Sequence, residues 1–170
     1  DVRIDGFRVE KAPEWRGQRV FVKHEVDGKG YELRLSEESA GTQKLMGLAS
    51  FLLAALERGG TVVVDELDAK LHPKLLRYVI LLFKDPEVNK SGAQLIFSSQ
   101  DVSTMRNDVF RRDEIWFAAR GEWEASQLWS LADIHEANGN LVSKNAAFDK
   151  QYLSGRYGAD PYLTRIEEWD

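Results

Sequence analysis

The 170-residue chain has no cysteine, so it can form neither a disulfide framework nor a thiolate metal site. No apolar run reaches the roughly 18 residues that a membrane-crossing helix needs. The opening stretch, D-V-R-I-D-G-F, lacks the charged and apolar regions of a signal peptide. Basic charge is not in excess either: the net charge of -5 argues against a surface dominated by nucleic-acid binding. No repeat, low-complexity tract or internal linker divides the chain, which reads as one domain or part of one. With 43% hydrophobic and 30% charged residues, it is a soluble globular chain long enough for a sizeable core. The lack of cysteine fits a reducing, cytoplasmic setting.

The most informative stretch is Gly60 to Pro73, G-T-V-V-V-D-E-L-D-A-K-L-H-P. Three consecutive β-branched valines favour a strand, and an unbroken apolar run suits one buried on both faces of a parallel sheet. That strand delivers Asp65 and Glu66 side by side at its carboxyl end, the edge where open α/β sheets bind ligands. Standing alone, the pair also fits an ordinary strand end with two solvated acids.

Upstream, Asp1 to Glu10 alternates loosely as a short strand. Arg19–Val26 and Tyr31–Leu35 read as a hairpin around a loop of four residues, Asp27-Gly28-Lys29-Gly30. His24 in that hairpin has no companion ligand and is assigned no function. Leu45, Leu48, Ala49, Leu52, Leu53 and Leu56 then recur at helical spacing until Gly59-Gly60. Ser39 is a suitable N-cap, so Ala40, Gly41 and Thr42 would present free backbone N–H groups at the positive end of a helix, a ready anion site. A capped amphipathic helix explains the same residues without any ligand.

Taken together, V-V-V-D-E resembles a Walker B motif, and S-A-G-T-Q at Ser39 to Gln43 resembles the signature motif of ABC-type ATPases, in the S-x-G-T form of the OLD and RecF relatives. The segment through Pro73 is similar to the D-E-x-D-x-x-L-H-P form of the same branch. This resemblance implies that Asp65 holds Mg²⁺ and that Glu66 orients or deprotonates the attacking water. It implies that Ser39, Ala40, Gly41 and Thr42 contact the γ-phosphate of nucleotide bound to the opposite subunit. It also places His72 in the D-loop that crosses the dimer interface.

Leu75, Leu76, Val79, Ile80, Leu82 and Phe83 form the apolar face of a further helix, ended by Lys84-Asp85-Pro86 before a polar loop. Ala93 to Ser99 is a second short strand, closing a strand-helix-strand unit. Where the family has T-T-H-D with a switch histidine, this chain has Ser98-Ser99-Gln100-Asp101. Gln100 can donate a hydrogen bond but can neither carry charge nor shuttle a proton, so the departure bears on hydrolysis more than on binding. Ile115–Ala118 and Trp123–Leu131 read as a hairpin around Gly121-Glu122, with the tryptophans as packing residues. Arg111 and Arg112 are a basic pair, solvated or phosphate-facing.

Near the end, Phe148, Tyr152 and Leu153 share a helical face, and Y-L-x-G-R-Y-G-A-x-P resembles the closing box of the RloA or AbiL type of prokaryotic defence ATPase. The resemblance runs from about Ser36 to Leu163. No G-x-x-x-x-G-K-S/T occurs, so the phosphate-cradling Walker A half is expected upstream, in a longer protein of which residues 1–170 are the C-terminal part of one ATPase domain. The expected fold class is α/β: a mainly parallel-sheet P-loop NTPase half, ABC-ATPase-like, with helices on both faces and peripheral antiparallel hairpins. The implied cofactors are ATP and Mg²⁺. The implied partners are a second copy, the Walker A half and an operon-encoded, RloB-like effector; a nucleic-acid partner draws no support from this stretch. The implied activity is ATP hydrolysis as a dimerisation switch in phage defence. Two alternatives stay open: a degenerate nucleotide- or partner-binding module without turnover, and the ATPase part of an OLD-type nuclease.

Overall fold

A computed structural model describes residues 2–11, 18–120, 125–136 and 139–159. They fall into two units, Asp1–His72 with Leu82–Ser98, and Pro73–Leu81 with Ser99–Asp170. In the first unit, strands β1 (Val2–Lys11), β2 (Gln18–Val26) and β3 (Lys29–Arg34) make an antiparallel sheet in that order. Val26 pairs with Lys29, so the β2–β3 loop is two residues rather than the expected four. Asp27 and Gly28 both take positive φ, +50° and +74°, the twist of a tight hairpin turn. His24 Nε2 lies 2.5 Å from Glu38 Oε1, tying β2 to the segment just before the next helix.

Helix α1 (Ala40–Arg58) starts at the Ser39 cap and ends at Gly59, with Leu52, Ala55 and Leu56 buried. Leu53, expected on that stripe, is 58% exposed, because it sits one residue off the three- and four-residue spacing that the buried positions follow. Strand β4 (Thr61–Val64) leads through a turn to helix α2 (Pro73–Lys84), which buries Leu76, Val79 and Ile80. Strand β5 (Gln94–Phe97) pairs in parallel with β4, Val62 opposite Leu95 and Val64 opposite Phe97. Ala55, Leu56 and Ala93 form a small core against which Val62, Leu82 and Phe83 pack.

Successive strand residues face opposite sides. Val64 is buried, whereas Val63 and its neighbour Ile96 are 73% and 55% exposed. The expectations of a strand buried on both faces and of helices on both faces are therefore corrected for the described residues: one face of the ribbon is covered. The parallel sheet is also smaller than expected, two strands against five in antiparallel pairings.

In the second unit, β6 (Trp116–Arg120) and β7 (Ser126–Ser130) are antiparallel, and α3 (Phe148–Leu153) follows. The expected turn at Gly121-Glu122, and Trp123, lie outside the described residues. Ile115, Phe117, Leu131, Val142, Phe148 and Tyr157 are the core. Phe117 stacks on Tyr152 with centroids 5.7 Å apart and meets Tyr157 at 5.3 Å. Trp129 packs on Phe117 and donates Nε1–H to the Tyr157 carbonyl at 3.2 Å. Trp116, also expected to pack, is 58% exposed, and Leu153 is 71% exposed beyond the packed face of α3. Arg111 grips Asp113 with two hydrogen bonds, and Arg112 donates to the Val142 carbonyl, so both guanidiniums are occupied within the unit.

Asn89 stitches α2 to β5: its amide donates to the carbonyls of Phe83 and Ala93 at 2.7 and 2.8 Å, and its oxygen accepts from Ala93 N–H at 2.7 Å. Asn89→Ala orphans three half-buried groups and should cost about 1–3 kcal/mol in denaturant unfolding. Tyr157 donates to Gln151 Oε1 at 2.7 Å, and burial pushes its phenol up to about 12 from 10.0. A raised folded value means that the neutral phenol favours the native state; that stability is whole below pH 10 and lost as pH rises towards 12. Melting temperatures across that interval should fall more steeply for the wild type than for Tyr157→Phe.

Candidate functional site: an acid pair beside a capped helix

Parallel pairing of β4 with β5 brings the residues that follow each strand to the same sheet edge. Asp65 and Ser98 are therefore neighbours, and the Ser98 hydroxyl donates to Asp65 Oδ1. The same oxygen accepts the Glu66 N–H at 2.7 Å. Main-chain bonds continue the pairing past the sheet, from Ser98 N–H to Val64 O at 3.1 Å and from Leu67 N–H to Ser98 O at 3.0 Å. Leu67 is fully buried, anchoring the turn, while Asp65 and Glu66 are exposed. Glu66 takes φ +49°, a region that side chains rarely adopt.

At the start of α1, Ser39 Oγ accepts the Thr42 N–H at 3.1 Å and lies 2.9 Å from Thr42 Oγ1. This is the expected N-cap, but it occupies the Thr42 N–H that was expected to be free, which leaves the N–H groups of Ala40 and Gly41 at the helix start. The turn after Glu66 folds back against this end: a Cβ on Gly41 would lie 2.7 Å from the Lys70 carbonyl oxygen. Lys70 itself has φ +65°. Ala40, Gln43, Lys44, Ala69 and Lys70 line a cleft of about 460 Å³ at this helix end. Lys44 Nζ donates to the Glu66 carbonyl, which joins the cleft to the acid pair.

The structure thus brings Asp65, Glu66, Ser39, Ala40, Gly41 and Thr42 into one unit, with α1 bonded to the acid turn. His72 is exposed, directly before α2, behind the buried Leu71. Gln100 belongs to the second unit and is exposed beside Asp101, whose carboxylate accepts the Ser103 N–H at 2.7 Å. Sequence reasoning missed Lys44 and Ser98. The signal for Ser98 was present in the pairing: register alone sets it next to Asp65.

Among the described residues, no group of three or more His, Asp or Glu side chains is placed to hold a metal. Asp65 offers exposed carboxylate oxygen beside a hydroxyl, a hard-oxygen set. That chemistry suits Mg²⁺, which takes one or two protein carboxylates and completes its shell with water and substrate phosphates.

Among solved structures, a chain from the structural biochemistry of ATP-driven dimerization and DNA-stimulated activation of SMC ATPases is similar, with TM-score 0.50 and 18% identity over 76% of this chain and 71% of that one. The fold is accordingly of the SMC-ATPase kind. Residues 3–106, more than half of the chain, match the family described as "AAA domain, putative AbiEii toxin, Type IV TA system", and the chain belongs to that family. No curated protein matches it significantly.

The close approach at Gly41 gives that residue a packing role of its own. Gly41→Ala must push the Lys70 backbone away and should destabilise the protein by about 1–3 kcal/mol. Gly47→Ala, an exposed helical site with open space around it, should instead stabilise by about 0.5–1 kcal/mol. Urea unfolding of the two variants checks both signs.

Proposed function

We propose that the chain is the C-terminal part of an ABC-type ATPase domain that binds and hydrolyses ATP at the interface of two copies, as a conformational switch. The observation that carries this reading is the acid pair at the end of β4, bonded through Lys44 to the helix whose N-terminus would take an anion. Family membership and the SMC-ATPase-like fold support it.

In this reading the N–H groups of Ala40 and Gly41, with the Ser39 hydroxyl and Thr42 beside it, bind the γ-phosphate of nucleotide carried by the partner copy, and His72 meets that copy across the interface. ADP lacks the γ-phosphate and loses those bonds, so the nucleotide state sets the closure of the dimer. Glu66 accepts a proton from, or orients, the attacking water; Ser98 keeps Asp65 in place. Asp65 would hold Mg²⁺, which when bound supplies neutralisation of phosphate charge. The Walker A half, upstream in the complete protein, would supply the phosphate cradle. The closing box Tyr152 to Pro161 favours the RloA or AbiL group, hence a cytoplasmic role in phage defence with an RloB-like effector. Gln100, in place of a switch histidine, favours a second reading: a module that binds nucleotide without turnover.

In the complete protein, Glu66→Gln should retain ATP binding and lower hydrolysis by roughly two orders of magnitude or more. Steady-state turnover alongside equilibrium binding of a fluorescent ATP analogue separates the two readings. Undiminished hydrolysis would remove Glu66 from the chemistry, and a wild type that binds but never turns over would establish the second reading.

A further inference from the structure

Glu66 is held on both sides of its own residue. A positive φ in a residue with a side chain persists only where surrounding bonds over-determine it. Here the Glu66 N–H is fixed by Ser98 Oγ at 2.7 Å, and its carbonyl accepts both from Lys44 Nζ and, within the turn, from the Ala69 N–H at 3.0 Å. The following N–H, of Leu67, is tied to Ser98 O, with the Leu67 side chain fully buried beneath it. The carboxylate therefore projects from a root with little freedom. Of the two side chains that fix this root, Ser98 follows the neighbouring strand and moves with the sheet. Lys44 does not: it stands on α1, just past the capped first turn.

We propose that Lys44 is a positioning residue that makes the setting of Glu66 depend on α1. The inference rests on the reading above, in which the α1 N-terminus of one copy meets nucleotide bound to the other while Glu66 serves the nucleotide of its own copy. An α-helix is stiff over so short a span, so a displacement of residues 40–42 on capturing an anion is passed to Lys44 almost undiminished. The ammonium then pulls on the Glu66 carbonyl against its bond from the Ala69 N–H and tilts the peptide plane between Glu66 and Leu67. Lys44 also lines the cleft at this helix end, so an anion there competes for the same charge. Either effect links occupancy at one site to readiness at the other within one chain, and produces cooperativity between the two.

The test uses the complete protein with Lys44→Met, which keeps the apolar stem and loses the donor, Lys44→Gln, which keeps a donor too short to reach, and Lys44→Arg, which keeps both reach and donor. Two quantities are measured: ATP hydrolysis against ATP concentration, and hydrogen exchange of segment 61–72 with and without a non-hydrolysable ATP analogue. Removing one hydrogen bond to a catalytic residue's backbone should lower kcat roughly tenfold with KM little changed. The Hill coefficient should fall towards one in the Met and Gln variants and recover in Arg, and analogue-dependent protection of 61–72 should be lost in step. A Hill coefficient and protection like the wild type's in both Met and Gln would overturn the coupling. Glu66→Gln, run in parallel, separates the two levels: if it hydrolyses ATP normally, the catalytic reading falls, while the exchange result still decides whether Lys44 links α1 to Glu66.

Discussion

A serine hydroxyl at the end of β5 is the interaction on which the candidate site depends. By donating to Asp65 and accepting from the Glu66 N–H, Ser98 fixes where one carboxylate points and where the next residue's backbone begins. Both acids are exposed, so water would otherwise let their side chains wander among rotamers. The hydroxyl is well suited because it can donate and accept at once, which neither an amide hydrogen nor a carbonyl oxygen does. It is available only because β4 and β5 run parallel, in a register that ends both strands at the same level.

Packing explains why this edge, and not the opposite end of the ribbon, carries the chemistry. The turn after Glu66 is buried at Leu67 and Leu71, which clamp it from below, while Lys70 presses its carbonyl against Gly41. Two positive-φ residues, Glu66 and Lys70, give the turn the curvature to reach the helix start. Apolar burial therefore fixes the turn, and Asp65 and Glu66 are left exposed at its start.

Much of this was legible in the residues. Three valines before two acids announced β4, leucines at helical spacing announced α1, and Ser39 marked its beginning to the residue. What was not legible depended on three-dimensional placement. Val63 has the same side chain as Val62 and Val64, yet it is exposed, because the helical residues of this unit that pack on the ribbon meet the other face. Asp27-Gly28 closed a tighter hairpin than its glycine-flanked neighbourhood implied. Lys44 looked like any solvated lysine on a helix, since nothing local signals that its ammonium meets a carbonyl 22 positions away. Gly41 stands where a phosphate could approach, and the close Lys70 carbonyl demands a glycine there independently. The family match spans residues 3–106 and so includes every candidate position from Ser39 to Gln100.

The parallel pairing has a temporal consequence. Thr61 and its partner Gln94 are 33 residues apart, so the ribbon can close only after the intervening residues have been made. As the chain emerges during synthesis, Asp65 and Glu66 appear well before Ser98, whose hydroxyl bonds both residues. A chain arrested before the second strand would display both carboxylates yet lack the geometry that gives them a use.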